Sequence, residues 1–429
     1  MKSLFAMGAS AALLISACSS TDGTSDSGSS SSASAASAGG GGDSAGSGGN
    51  AGGGDAGGGN AGGGGEGAAP PGDTTERVYD ADDSNIQYSG RVDFSDPKKP
   101  RFSTPGVTIQ ASFKGSSVAV TLDDEHKWDK YFNYFDVSVD DGPVTKIQVQ
   151  PDAMEYEIAS DLPYGEHTVT VIKRTEASIG YTELLGFTFG GEIQPPPQRP
   201  SRKIEFIGDS ISCGSGIDAP NGSAQCEEDG WGQPYHNARL AYGPLVARQL
   251  GAEYHVTAVS GIGLVRNYSS EYDARPMPEV YGLLFPELTD SPAWDTARFV
   301  PDAIVIALGT NDFSPGDSER PRMDVETYAE AYIDFIDTLR GYYPDAHIFC
   351  MSSPMLGDGW PEPTDMSATD HKASLTRVEE HFAANNDTKV HKVFVSKATG
   401  KGCGTHPDAT EHETMAEELS PVLQSVMGW

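Results

Sequence analysis

Positive charge is scarce in this 429-residue sequence: 29 Lys and Arg stand against 62 Asp and Glu, a formal net charge of −33. A chain so acidic offers no basic face, which argues against nucleic acid or anionic lipid headgroups as partners. Long apolar runs are lacking too. After residue 17 nothing approaches the roughly 18–20 apolar residues that a membrane-spanning helix needs. Cysteine is sparse, five in all. No Cys-x-x-Cys pair and no His pair at ligand spacing occurs, so no zinc site and no cofactor is expected.

The one apolar stretch lies at the start. Met1 and Lys2 precede a run from Leu4 to Ala17 that is too short for a stable span and has the form of a signal peptide over residues 1–17. Its end, Ile15-Ser16-Ala17-Cys18, resembles the bacterial lipobox, in which the cysteine becomes the lipidated N-terminus. The resemblance implies an outer-membrane lipoprotein of a bacterial cell envelope, anchored through Cys18; ordinary cleavage would release a secreted protein instead. Residues 18–77, largely Ser, Gly and Ala, cannot bury enough apolar surface to fold and are expected to form a disordered tether. Gly42-Asp43-Ser44-Ala45-Gly46 inside it fits a nucleophile-elbow pattern, but no strand precedes it and no helix follows. Export leaves Cys213, Cys226, Cys350 and Cys403 in a compartment that permits disulfides; of the three pairings, Cys213 with Cys226, which closes a short loop, is the expected bridge.

Residues 78–194 alternate apolar and polar positions in short runs such as 107–113, 117–122, 134–139 and 167–172. Turn signals fall at Lys114-Gly115, Asp140-Asp141-Gly142 and Tyr164-Gly165, a pattern that predicts a β-sandwich. The proline-rich 195–200 marks a boundary. From 201 to 429 the pattern changes to alternating strands and helices. Strands are expected at 203–207, 254–259, 303–308 and 347–351, with helices at 242–250, 325–342 and 415–427. This is the signature of a parallel α/β sheet with ligands at the carboxyl ends of its strands.

Three motifs stand at such ends. Gly208-Asp209-Ser210 follows the first strand, Ser260-Gly261-Ile262-Gly263 the second, and Gly309-Thr310-Asn311-Asp312 the third. A serine at a strand-to-helix turn is exposed; a glycine lets the backbone approach a ligand; an asparagine offers an amide donor. Thr405-His406-Pro407-Asp408 precedes the last helix, so His406 can point back over the sheet. Nine other histidines compete, and their contexts are those of packing, capping or solvated residues; His412 in particular lies at or in the final helix.

Gly208-Asp209-Ser210, Gly261, Asn311 and His406 resemble, in order, the four blocks of SGNH hydrolases. The likeness is closer still to carbohydrate esterase family 2, through Tyr88-Ser89-Gly90-Arg91, Phe102-Ser103-Thr104-Pro105-Gly106, Lys173-Arg174-Thr175-Glu176-Ala177, residues 204–211 and residues 309–314. The resemblance spans about 78–429 and implies an N-terminal jelly-roll β-sandwich joined to an SGNH parallel sheet flanked by helices. It also implies a serine esterase that removes acetyl groups from polysaccharides such as xylan or glucomannan. Ser210 would then be the nucleophile and His406 the general base, with the N–H groups of Ser210 and Gly261 and the Asn311 amide holding the oxyanion.

One position departs from the SGNH pattern. Where those enzymes carry an Asp three residues before the histidine, this sequence has Cys403. Either a backbone carbonyl orients His406, as in dyad members of the esterase family, or a distant acid among Asp358, Asp365 and Asp370 does; the dyad is the expectation. Trp360, on a loop after the strand 347–351, is a candidate for stacking on a sugar, as more weakly are Trp231 and Tyr235. A monomer is expected. Two other functions stay open: an SGNH enzyme acting on lipid or other non-carbohydrate esters, and a polysaccharide-binding protein with an inactive esterase domain.

Overall fold

The computed structural model describes residues 72–127, 131–140, 142–152, 154–219, 226, 233–268, 275–315 and 320–429. Cys18, the Gly/Ser-rich stretch and Trp231 lie outside the described residues. The first half is antiparallel: β1 (Glu76–Asp80), β2 (Gln87–Ser89), β3 (Arg101–Phe102), β4 (Thr108–Asp124), β5 (Tyr134–Val139), β6 (Thr145–Gln148), β7 (Glu155–Ala159), β8 (Gly165–Lys173) and β9 (Thr182–Gln194). The long strand β4 joins it together. Its first part pairs with β2 and β8, its second part with β7, and β9 runs along its other edge. Inward side chains at alternate positions of β4 (Ile109, Ala111, Phe113, Val118, Val120, Leu122) enter one core with Phe135, Val171, Phe187 and Phe189.

Lys114-Gly115, expected as a turn, lies inside β4. The pairing with β9 shifts register between Gly115 and Val118, so the strand bulges and carries on. A Cβ at Gly115 would stand 2.2 Å from the Gly190 carbonyl oxygen, which is why glycine occupies the position. The residue signals close backbone approach rather than chain reversal.

The second half is a parallel sheet in the order β11-β10-β12-β13-β14, where β10 is Arg202–Gly208, β11 Ala252–Ala258, β12 Ala303–Ala307, β13 His347–Met351 and β14 Val390–Val393. Both faces are covered, as near-continuous apolar strands require. Ile207, Ile304, Ile306 and Ile348 face α5 (Val325–Tyr342) and α6 (Ser367–Ala384). Ile204, Phe206, Val305 and Phe349 face α2 (Tyr242–Leu250) and α7 (Ala409–Met427). Three short helices, α1 (Ser210–Cys213), α3 (Met277–Val280) and α4 (Thr310–Phe313), complete the set among the described residues. Strand β10 is central, with β11 and β12 on either side, so the loops after these three strands meet at one edge.

Helix α7 begins at Ala409 rather than at 415. Asp408 caps it, accepting from the Glu411 N–H while Glu411 accepts from the Asp408 N–H, a reciprocal capping box. His412 therefore sits inside the helix, where its Nδ1 accepts the Tyr242 N–H at 3.1 Å and serves the start of α2.

Candidate active site

Each of the three motifs is placed by the turn that ends its strand. Asp209 caps α1: its Oδ1 accepts the Ile211 N–H at 3.0 Å, which closes the turn and sets Ser210 as the first helical residue. Ser210 lies 9 % exposed. Gly261, after β11, has φ 78°, a left-handed conformation that few other residues adopt without strain. A Cβ there would meet nothing nearer than the Tyr268 Cβ at 4.0 Å, so the space over it is open.

The residue that builds this loop is one the sequence reading passed over. Asp312, in α4, is fully buried and accepts three backbone N–H groups: Leu264 at 3.0 Å, Val265 at 2.7 Å and Arg266 at 3.0 Å. Burial raises its carboxyl pKa and these three donors oppose the rise. Arg320 adds a second brace, donating to the carbonyls of Asn267 at 2.6 Å, Ser314 and Asn311. The signal for Asp312 was present in the Gly-Thr-Asn-Asp block; the partners of Arg320 are visible only in three dimensions.

Asn311 stands beside Asp209. Its Nδ2 donates to the Ile262 carbonyl at 2.7 Å, and a longer 3.4 Å contact reaches Asp209 Oδ2. Burial pushes the Asp209 carboxyl up to about 7.

His406 is the fourth element. Its Nε2 lies 2.7 Å from Ser210 Oγ, and its Nδ1 lies 2.9 Å from the Cys403 carbonyl oxygen. A carbonyl only accepts, so the proton on the ring belongs to Nδ1 and the lone pair of Nε2 faces the serine hydroxyl. The tight turn that allows this has left-handed residues at Gly404 and Thr405, φ 58° and 62°. Burial holds the His406 pKa below the usual histidine value.

The three distant acids bind elsewhere. Asp358 accepts from Thr369 N and Oγ1, and Asp365 and Asp370 pair with Arg322. Trp360 is 66 % exposed on the loop after β13, and Tyr235 ends a short 3-10 turn. Neither lines the cavity of ≈430 Å³ that borders Ser260 and Gly261.

The expected Cys213–Cys226 bridge does not form. Cys226 bonds Cys403, 177 residues away, with Cα atoms 5.6 Å apart. Cys213 is turned into an apolar cluster with Val256 and Ala258 and is free, as is Cys350. Short sequence separation favoured the wrong partner because α1 points Cys213 at the sheet. The Cys403 that replaces the orienting acid thus carries two tasks, a covalent tie through its side chain and an acceptor through its carbonyl.

Comparison with known proteins places the chain in a family. Residues 88–197 match the profile of the carbohydrate esterase 2 N-terminal region, and residues 206–412 that of the GDSL-like lipase/acylhydrolase family. An acetylxylan esterase / glucomannan deacetylase of Cellvibrio japonicus is 30% identical over 351 residues, covering 81% of this chain and 91% of that protein. The chain belongs to carbohydrate esterase family 2. As such it is a carboxylic ester hydrolase of the carbohydrate esterase type. Cellulase/esterase CelE of Acetivibrio thermocellus is 34% identical over 354 residues, 82% of this chain, although the match spans only 40% of that longer protein. A solved family 2 esterase from Clostridium thermocellum, in complex with cellohexaose, is 33% identical with a TM-score of 0.71, covering 80% of this chain and 99% of that one.

Proposed function

We propose that this family 2 member removes O-acetyl groups from polysaccharides such as xylan or glucomannan, using Ser210 and His406 as a dyad. The observation that carries the reading is the line from the Cys403 carbonyl through both ring nitrogens of His406 to Ser210 Oγ. Ser210 Oγ attacks the acetyl carbonyl carbon as its proton passes to His406 Nε2. The charge that develops on the carbonyl oxygen is met by the N–H groups of Ser210 and Gly261. The Asn311 amide adds its second hydrogen, which only the 3.4 Å contact to Asp209 occupies. The bond to the sugar oxygen then breaks, and His406 returns the proton to that oxygen. Water, activated by the same Nε2, attacks the acetyl-serine and releases acetate.

A long-chain lipid ester is the second reading: Ile179, Val259, Ile262, Val280 and Leu288 line the adjoining cavity together with the polar Lys127, Glu176, His236 and Glu287. The test is acetate release from acetylated xylan and acetylated glucomannan. Wild type is expected to release acetate, and Ser210→Ala or His406→Ala to lower the rate by about 10³-fold or more. Release from neither polymer would overturn the substrate class, and an active Ser210→Ala would overturn the mechanism.

The reading extends to how the enzyme is held and divided. A lipid at Cys18 and a tether over 18–77 would present a β domain (78–194) and an esterase domain (201–429) outside the cell. Palmitate incorporation that disappears in Cys18→Ala is the expected result; incorporation that persists would exclude that anchor.

A further inference from the structure

The antiparallel half contributes to the wall of the ≈430 Å³ cavity beside Gly261, which includes Ser260, His236, Lys127, Glu176 and Glu287. Its volume falls within the range of small-ligand sites. Glu176 follows β8 and is 8 % exposed; His236 belongs to the parallel half and is 5 % exposed. The backbone on both sides of the cavity is fixed from behind. Arg174 Nε donates to the His236 carbonyl at 3.1 Å, while the same guanidinium bonds Asp136 and Asp218. Lys173 Nζ, fully buried, donates to the carbonyls of Thr175 at 2.9 Å and Glu176 at 3.3 Å.

The side chains at the front are left unsatisfied. Glu176 Oε1 stands 4.0 Å from His236 Nδ1, beyond hydrogen-bond range. The buried Oε2 of Glu176 and the buried Nδ1 of His236 have no hydrogen-bond partner among the described residues. Burial lowers the pKa of His236; the Glu176 carboxylate opposes that shift and His406 nearby adds to it. Buried polar atoms without partners are costly, and a pair of them on the wall of a cavity that borders Gly261 can be satisfied by an incoming ligand. A hydroxyl both donates and accepts, so a polyol suits a carboxylate and either tautomer of the imidazole.

We propose that Glu176, with His236 beside it, is a substrate-binding residue that accepts a hydrogen bond from a free hydroxyl flanking the acetylated sugar carbon. The antiparallel half thereby selects polyol esters over simple esters at an active site whose nucleophile it does not carry. This rests on the polysaccharide-deacetylase reading above and adds a specificity determinant to it.

The test compares three substrates: an acetylated xylo-oligosaccharide with free neighbouring hydroxyls, the same compound with those hydroxyls O-methylated, and 4-nitrophenyl acetate. With wild type, methylation is expected to lower kcat/KM by about tenfold or more, the loss that follows one hydrogen bond to a charged group. Glu176→Gln is expected to weaken hydrolysis of the free-hydroxyl substrate, through KM, about tenfold more than it weakens hydrolysis of 4-nitrophenyl acetate. It is also expected to close most of the gap between the free and methylated compounds, and Glu176→Asp to restore part of it. Equal losses on sugar and aryl esters, or a wild type indifferent to methylation, would overturn the proposal. The methylation comparison needs no variant, and a wild type indifferent to it overturns the proposal even if Glu176→Gln fails to fold; if it does, the sugar-against-aryl-ester loss is read on Glu176→Asp instead. If wild type hydrolyses 4-nitrophenyl acetate but no acetylated glycan, the deacetylase reading falls and this inference with it. If the glycan is hydrolysed but its hydroxyls make no difference, this inference alone falls.

Discussion

The Nδ1 proton of His406 is fixed by a backbone oxygen, and this gives the site its polarity. With the Cys403 carbonyl as acceptor, Nε2 presents a lone pair to Ser210, and among the described residues no carboxylate is hydrogen-bonded to the ring. A carbonyl orients the imidazole but carries no full negative charge, so it stabilises the imidazolium less than an aspartate would. Burial acts in the same direction and lowers the His406 pKa. The active form is the neutral base. The pH profile of kcat/KM should therefore rise as His406 loses its proton, with its acid-limb midpoint below the ordinary histidine value of 6.5. The profile can be measured with 4-nitrophenyl acetate; a midpoint above 6.5 would contradict the assignment. His406 was legible as a residue because of its place before the last helix. What orients it was legible only as an alternative, since sequence carries no sign of which carbonyl a tight turn will aim.

The loop between β11 and α3 shows how an element is held by a residue far away in the chain. Residues 264–266 turn their N–H groups onto Asp312, 46 to 48 positions later, and the Gly261 backbone is presented as a consequence. Replacing Asp312 with Ala would leave one buried and two half-buried N–H groups without an acceptor, at a cost of about 2–3 kcal/mol. Chemical denaturation of Asp312→Ala should show that loss. Its kcat on an acetyl ester should fall as well, because the Gly261 N–H, proposed above as an oxyanion donor, loses its support; unchanged stability would refute the bracing role. At the same scale, α6 and β14 were not anticipated. Helix α6 buries His371 and Ser374 alongside Leu375, Val378 and Phe382, and polar residues on the core face blur the apolar period. Strand β14 is only four residues long, with two fully buried positions.

Across the whole molecule, the two halves are joined by a buried cation. Arg91, 1 % exposed and carried by the antiparallel half, donates to the carbonyls of Tyr281 at 2.6 Å and Leu283 at 2.5 Å. It also faces Glu205 in β10 at 3.3 Å, while Tyr281 Oη and Thr257 Oγ1 donate to the same carboxylate at 2.7 Å each. Its guanidinium lies over the rings of Tyr281 and Trp294. Removing one member of such a pair leaves the other charge buried and uncompensated. Arg91→Ala should therefore cost about 3–5 kcal/mol in denaturant unfolding. Adding Glu205→Gln should recover a good part of it; if the double variant is as unstable as the sum of the two single ones, the ion pair is not what Arg91 contributes. Together with Arg174 and Glu176, this joint makes the antiparallel half a structural part of the esterase rather than an appended module.

The amino-acid sequence by itself determined the class of fold and the order of the motifs, and it singled out Ser210 and His406 as the candidates proposed here for catalysis. These depend on local pattern: apolar period, glycine and serine at strand ends, and a histidine next to a helix cap. Tertiary structure alone decided the partner of Cys226, the carbonyl that orients His406, the brace on the Gly261 loop and the meeting of Glu176 with His236. Each of these joins residues from about 40 to nearly 180 positions apart, or chooses among backbone groups that every residue possesses. Such contacts are set by how strands are ordered in a sheet and which faces are buried, and neither is written in any short stretch of the chain.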